Sequence, residues 1–238
     1  MPLRLHVDAP LATGSELALP AGAARHAQVR RVQPGDTLQL FDGRGGEWAA
    51  VVSAMSRQSV DVRIGERIVV DSELPVRVTL AIGVPTNERM DALVEKATEL
   101  GVAALQPLMC ERSVLRLDGE RAERKRLHWQ AIAVAACEQC GRATVPVVEP
   151  VRVYAGWLAQ LAAPGARLLL SLDPAAAPLH TLAAGTTLTS LSGPEGGLTP
   201  GEEAAARTAG FVPLGLGPRV LRADTAPLAL LAWLGLRA

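Results

Sequence analysis

Thr187-Leu188-Thr189-Ser190-Leu191 runs directly into Ser192-Gly193-Pro194-Glu195-Gly196-Gly197-Leu198, and residues 192–225 as a whole decide the fold. An apolar, β-branched run followed by a glycine-rich turn reads as a buried strand feeding a loop. A helix then starts with Thr199 as N-cap, Pro200 at its first position and Glu202 three residues past the cap, a capping-box pattern, and stops at Gly210. A second strand over residues 211–216 opens into Gly217-Pro218-Arg219-Val220-Leu221-Arg222-Ala223-Asp224-Thr225, ahead of an apolar helix over residues 226–236. Two loops therefore leave the carboxyl ends of two strands. Open α/β sheets bind ligands there, because rigid strands aim loops that lie outside the core.

Glycines let backbone groups approach a ligand closely, and a phosphate is the first expectation for such a turn. Glu195 argues against it, since a carboxylate in mid-loop repels a phosphate and no Gly-Lys-[Ser/Thr] supplies the cation of a P-loop. Gly215-Leu216-Gly217-Pro218-Arg219-Val220 matches only half of a dinucleotide fingerprint, with the third glycine absent. A neutral or cationic ligand held mostly by backbone groups fits better.

With 49% hydrophobic and 20% charged residues, the 238-residue chain has ordinary globular composition and length for one large or two modest domains. Met1-Pro2-Leu3-Arg4-Leu5-His6 carries no secretory segment and the longest apolar run is too short to cross a bilayer, which predicts a soluble, cytoplasmic protein with no membrane attachment. Basic and acidic residues balance at 24 each, so any nucleic-acid binding must come from local patches. Cys137-Glu138-Gln139-Cys140 has redox-like spacing, but it follows an alanine-rich helical run and precedes Gly141, the wrong helix end for activating a thiolate. Zinc would need two further ligands at matching spacing, and none exists; no metal site is expected.

Residues 1–72 read as β-rich: a turn at Pro34-Gly35-Asp36, strands over 37–41, 47–54 and 59–64, and a hairpin loop between the first two, a spacing that suggests a small barrel. Ahead of them a short helix over 22–32 carries Arg25, His26, Arg30 and Arg31, which form either a phosphate-facing surface or an ordinary solvated face. A boundary falls near Asp71-Ser72-Glu73-Leu74-Pro75. Beyond it, strands over 77–83, 103–109 (interrupted near Pro107), 168–172, 187–191 and 211–216 alternate with helices over 88–100 and 119–140, implying a parallel sheet covered on both faces.

Five blocks carry a resemblance. Gly193-Pro194-Glu195-Gly196-Gly197-Leu198-Thr199 with Leu216-Gly217-Pro218-Arg219-Val220-Leu221-Arg222, together with Lys96-Ala97-Thr98-Glu99-Leu100-Gly101-Val102, Glu111-Arg112-Ser113, Glu138-Gln139-Cys140-Gly141-Arg142 and Phe41-Asp42-Gly43, resemble the bacterial 16S ribosomal RNA uracil-N3 methyltransferases, a branch of the knotted SPOUT methyltransferases. The resemblance implies an α/β SPOUT methyltransferase domain with a trefoil knot over 73–238, preceded by a PUA-like β-barrel RNA-binding domain over 1–72. It implies S-adenosyl-L-methionine as cofactor, a uracil N3 in 16S rRNA of the small ribosomal subunit as substrate, and a homodimer. Cofactor contacts would come from Leu172, Asp173, Gly193, Pro194, Glu195, Gly196, Gly197, Leu216, Gly217, Val220, Leu221 and Arg222.

Within that reading Arg222 would stabilise the anion forming on the uracil carbonyl oxygens, or else simply pair with Asp224. Glu195 would be a general base if its surroundings raised its pKa, or a structural acceptor of backbone N–H groups. Arg25, His26, Arg30, Arg31, Arg112 and Arg142 would meet RNA, although Arg112 and Arg142 also suit intramolecular or subunit ion pairs. The C-terminal helix suits a dimer face or a core position equally. Two departures stand out: Cys110 where the family usually has serine, and Asp224 where it usually has glutamate. Other readings are an RNA-binding ribosome assembly factor without catalysis, or a sister SPOUT methyltransferase acting on another RNA.

Overall fold

The computed structural model describes residues 2–162, 164–182 and 185–237. The chain forms two compact units, Met1–Glu73 with Val134–Val145, and Leu74–Ala133 with Pro146–Ala238. The segment 134–145, placed by the sequence reading in the second domain, thus counts with the first.

In the first unit, β1 (Leu3–His6), β2 (Glu16–Ala18), α1 (Ala21–Val29), β3 (Thr37–Phe41), β4 (Glu47–Met55) and β5 (Val60–Ile68) build a mixed sheet in the order β1-β3-β4-β5-β2. Alternation along the strands drives it: Leu38 and Leu40 of β3, Ala50 and Val52 of β4, and Val60, Val62 and Ile64 of β5 all point into one core. Helix α1 covers that core with Ala23, Ala24 and Ala27. Strands β1 and β2 were not anticipated; at four and three residues they are too short to show a period.

Charges are buried here too. Arg4 pairs with Glu47 in the core, stacks 5.0 Å above the Phe41 ring and donates through Nη2 to the Arg142 carbonyl at 3.0 Å. Arg142 in turn forks onto Glu73, with Nε and Nη2 donating at 3.0 and 2.5 Å. Glu138 accepts from the His6 backbone N–H at 3.0 Å. These contacts, and Gly45 N–H donating to the Ala143 carbonyl at 3.0 Å, dock segment 134–145 against β1 and β3.

The second unit holds β6 (Arg77–Gly83), α2 (Asn87–Glu99), β7 (Ala104–Met109), most of α3 (Gly119–Cys140), β8 (Val147–Val148), β9 (Arg152–Val153), α4 (Tyr154–Ala159), β10 (Ala166–Leu170), β11 (Ala177–Pro178), β12 (Thr187–Ser192), α5 (Pro200–Thr208), β13 (Val212–Gly215) and α6 (Thr225–Gly235). Every pairing is parallel, in the order β11-β13-β10-β12-β6-β7-β8, with β9 beside β7. The capping box is complete: Glu202 N–H donates to Thr199 Oγ1 at 3.2 Å and Thr199 N–H to Glu202 Oε2 at 2.8 Å.

Two strands differ from expectation. β10 begins two residues early and ends at Leu170, because register with β12 pairs Ala166 with Leu188 and leaves Leu172 in the loop. β7 is continuous through Pro107, which coincides with the break between its short partners β8 and β9; there the Gln106 carboxamide donates to the Pro150 carbonyl at 2.9 Å. Helix α6 buries Pro227, Leu230, Leu231 and Leu234 within its own unit, so that face is core. Among the described residues no helix is long and apolar enough to cross a membrane.

Removing one member of a buried ion pair strands the other in low dielectric, at a cost of about 3–5 kcal/mol. Glu47→Ala is expected to lower the unfolding free energy by about that amount, read from the urea midpoint, whereas Arg4→Met combined with Glu47→Met costs less than Glu47→Ala alone.

Candidate functional site

Five strands of the second unit, β6, β7, β10, β12 and β13, end on one edge of the sheet, and the loops that follow them enclose a cleft of about 560 Å³. Its wall includes Leu172, Gly193, Pro194, Glu195, Gly196, Gly197, Leu216, Gly217, Val220, Leu221 and Arg222. The strands make this possible by ending in residues that admit another backbone. A Cβ on Gly83, the last residue of β6, would sit 2.4 Å from Pro194 Cδ, so only glycine lets the loop after β12 lie across the end of β6. Likewise a Cβ on Gly193 would meet Leu198 N at 2.7 Å.

The glycine-rich loop is tied at three points. Gly197 N–H donates to the Pro194 carbonyl at 2.8 Å, closing the turn. Arg112, in the loop after β7, donates through Nη1 to the Gly196 and Leu198 carbonyls at 3.2 and 3.3 Å. Glu195 Oε1 accepts the backbone N–H of Thr86, the N-cap residue of α2, at 2.9 Å. Partial burial pushes the Glu195 carboxyl up, but the Thr86 and Glu195 backbone N–H groups, the Thr86 hydroxyl and the Arg89 guanidinium outweigh it and hold it below its ordinary value. A general base needs the opposite shift, so the expectation of Glu195 as base gives way to its structural alternative.

In the loop after β13, the Arg222 carbonyl accepts the Thr225 and Ala226 N–H groups at 3.0 Å and starts α6. The Arg222 side chain is exposed on the cleft, and among the described residues no carboxylate lies within ion-pair distance of it. The expected alternative, a pair with Asp224, is not formed: Asp224 Oδ1 instead lies 3.7 Å from Arg89 Nη1.

Three expectations meet different surroundings. Asp173 is not part of the cleft wall; it accepts from the Ala175 N–H at 2.9 Å and from Arg207 at 2.8 Å, contacts that lower its pKa and shape the loop after β10. Arg142, expected at RNA, has a side chain only 3% exposed and is forked onto Glu73, so its guanidinium is enclosed in the first unit. His26 Nδ1 lies 3.2 Å from Glu138 Oε2, while Arg25, Arg30 and Arg31 are exposed on and just after α1.

Two of the three thiols are quiet. Burial, then the Glu202 charge, pushes Cys110 up to about 12, and the Cys140 contact and burial raise Cys137 as well. Among the described residues no group of three or more His, Cys, Asp or Glu is arranged to hold a metal ion.

Arg89 was missed by the sequence reading although it borders the cleft. The available signal was its position, six residues beyond the end of a parallel strand, in the first turn of the following helix.

Residues 72–235 match the RNA methyltransferase domain family, and residues 19–65 the RNA methyltransferase PUA domain family. The chain is 34% identical over 238 residues to the ribosomal RNA small subunit methyltransferase E of Mycobacterium bovis, spanning 97% of this chain and 90% of that protein. It is 32% identical over 212 residues to the protein of the same name from Bacillus subtilis, spanning 86% and 83%. The crystal structure of a ribosomal RNA small subunit methyltransferase E from Neisseria gonorrhoeae bound to S-adenosyl methionine superposes with a TM-score of 0.92 at 37% identity, covering 98% of this chain and 96% of that one. The chain therefore belongs to this RNA methyltransferase family, with a parallel-sheet α/β methyltransferase fold and an N-terminal PUA-like domain.

Proposed function

We propose that this protein methylates N3 of a specific uracil in 16S rRNA of the small ribosomal subunit, using S-adenosyl-L-methionine. The observation that carries the reading is the cleft at the carboxyl edge of the parallel sheet, bordered by Arg222, which among the described residues has no carboxylate within ion-pair distance. The cleft fits the cofactor. Leu172 and Val220 leave large apolar side chains 70% and 78% exposed at it, a surface that a flat ring would cover. Gly193 to Gly197 bring backbone groups close, and Glu195, held ionised, favours a cation.

When bound, S-adenosylmethionine supplies an electrophilic methyl group. The chain's own residues then have separate tasks. The glycine-rich loop and residues 216–221 hold and orient the ligand, with Arg112 fixing the first of them through its carbonyls. Arg222 presents a guanidinium to the negative charge that develops on the uracil carbonyl oxygens as the N3 proton leaves. Glu195 keeps its loop in place by accepting the Thr86 N–H.

RNA contact in this reading comes from exposed Arg25, Arg30 and Arg31 of the PUA-like domain, through phosphates. The protein works in the cytoplasm as a homodimer, for which Leu228, Ala229, Ala232 and Trp233, the half-buried side of α6, offer an apolar surface.

Labelled methyl transfer to small subunits from cells lacking this protein, followed by nucleoside mass spectrometry, tests the reaction; the expected product is N3-methyluridine in 16S rRNA, and a different nucleoside or none rejects it. Arg222→Ala is expected to lower kcat by about 10²–10³ with unchanged circular dichroism, and normal turnover would remove Arg222 from the mechanism. Glu195→Gln retains an acceptor for the Thr86 N–H, so kcat should stay within about tenfold while KM for the cofactor rises. Because the folded-state pKa of Glu195 is lowered, the carboxylate contact is fully present above the ordinary glutamate value and lost only as pH falls through the lowered one. Wild-type cofactor affinity is accordingly expected to be flat from neutral pH down to about pH 5, measured by titration calorimetry.

A further inference from the structure

Arg89 belongs to neither ligand loop, yet its guanidinium faces a carboxylate from each. Nε lies 4.0 Å from Glu195 Oε1 and Nη1 3.7 Å from Asp224 Oδ1. It projects from the first turn of α2, whose Met90, Leu93, Val94 and Ala97 are completely buried, so the cation hangs from a rigid element. Asp224 Oδ1 is itself buried and accepts no hydrogen bond among the described residues. Such an oxygen is costly unless a cation stands beside it, and Arg89 is the cation there. Glu195 has its own anchor in the Thr86 N–H, but Asp224 has no other ion-pair partner among the described residues. Without the guanidinium, the two carboxylates, carried by separate loops, would share no cation among the described residues.

We propose that Arg89 is a positioning residue for the ligand cleft, clamping the glycine-rich loop after β12 and the arginine-containing loop after β13 at one separation through Glu195 and Asp224. The inference rests on the reading of this cleft as the S-adenosylmethionine site. It gives the aspartate at position 224 a definite consequence: its carboxylate stops short of hydrogen-bond distance from Arg89, and one further methylene would extend its reach. It also distinguishes arginine from lysine, because a planar fork can face two carboxylates at once whereas an ammonium on a flexible stem serves mainly one.

Titration calorimetry with S-adenosylmethionine, supported by circular dichroism and steady-state kinetics on the full chain, tests this with Arg89→Met, Arg89→Lys, Asp224→Asn and the Arg89→Met, Asp224→Asn pair. Arg89→Met is expected to weaken binding about tenfold or more, with KM for the cofactor rising by more than kcat falls. Asp224→Asn should also weaken it, and the double variant should be no worse than Arg89→Met alone, since Arg89→Met already removes the contact that Asp224→Asn removes. Arg89→Lys should fall between, and adding Asp224→Glu to it should recover affinity by restoring reach. Unchanged affinity in Arg89→Met, or single effects that multiply in the double variant, would overturn the proposal. If Arg89→Met does not fold, the lysine series decides: wild-type affinity in Arg89→Lys with no response to Asp224→Glu also overturns it. A wild-type chain that binds no S-adenosylmethionine at all defeats the cofactor reading itself, visible before any variant is made, and this proposal with it.

Discussion

The parallel pairing of β12 with β6, from Thr187 opposite Arg77 to Ser192 opposite Ile82, is the constraint on which the cleft depends. It sets the end of β12 next to the end of β6, and the glycine at position 83 then lets Pro194 pass over that end at a distance no side chain would allow. The parts of the cleft wall next to these two strands follow from this contact. Helix α2 starts beside the glycine-rich loop, so that Thr86 can donate to Glu195 and Arg89 can reach it. Strand β7, the neighbour of β6, delivers Arg112 to the other side of the same loop. Parallel strands are what make the arrangement directional: all of their carboxyl ends, and therefore all of these loops, gather on one edge.

The division of labour among the charged residues follows from where each is held. Arginines that find carbonyl or carboxylate partners become structural: Arg4 and Arg142 inside the first unit, Arg112 behind the glycine-rich loop. Arg222, with a backbone committed to starting α6 and a side chain that among the described residues meets no carboxylate, keeps its charge available at the cleft. Glu195 shows the same logic with opposite sign. A carboxylate receiving hydrogen bonds at a helix start is stabilised as an anion, and the more it is stabilised the poorer a proton acceptor it becomes.

The first unit follows different physics. Its sheet is small, and a buried arginine–glutamate pair with a second arginine forked onto Glu73 fixes segment 134–145 to it. Replacing such a pair with apolar residues of equal volume is often neutral or stabilising, whereas removing one partner leaves a charge buried alone.

Local chemistry determined a good deal from the sequence alone. The capping box at Thr199 and Glu202, the stop at Gly210, the strands over 37–41 and 77–83 and the long helix over 119–140 are all written in residue type and period, and they appear with those bounds or within a residue or two of them. The two glycine-containing loops were legible as loops leaving the carboxyl ends of strands because strand, turn and helix signals follow one another without a break. Tertiary structure alone decided the rest. Strands as short as β8, β9 and β11 are too brief to show periodicity and exist only because a neighbouring strand offers hydrogen-bond partners. The ion-pair partners of Arg142, Asp173, Asp224 and Arg89 lie from 34 to 135 residues away, and what a charged side chain meets at such separations no local pattern encodes.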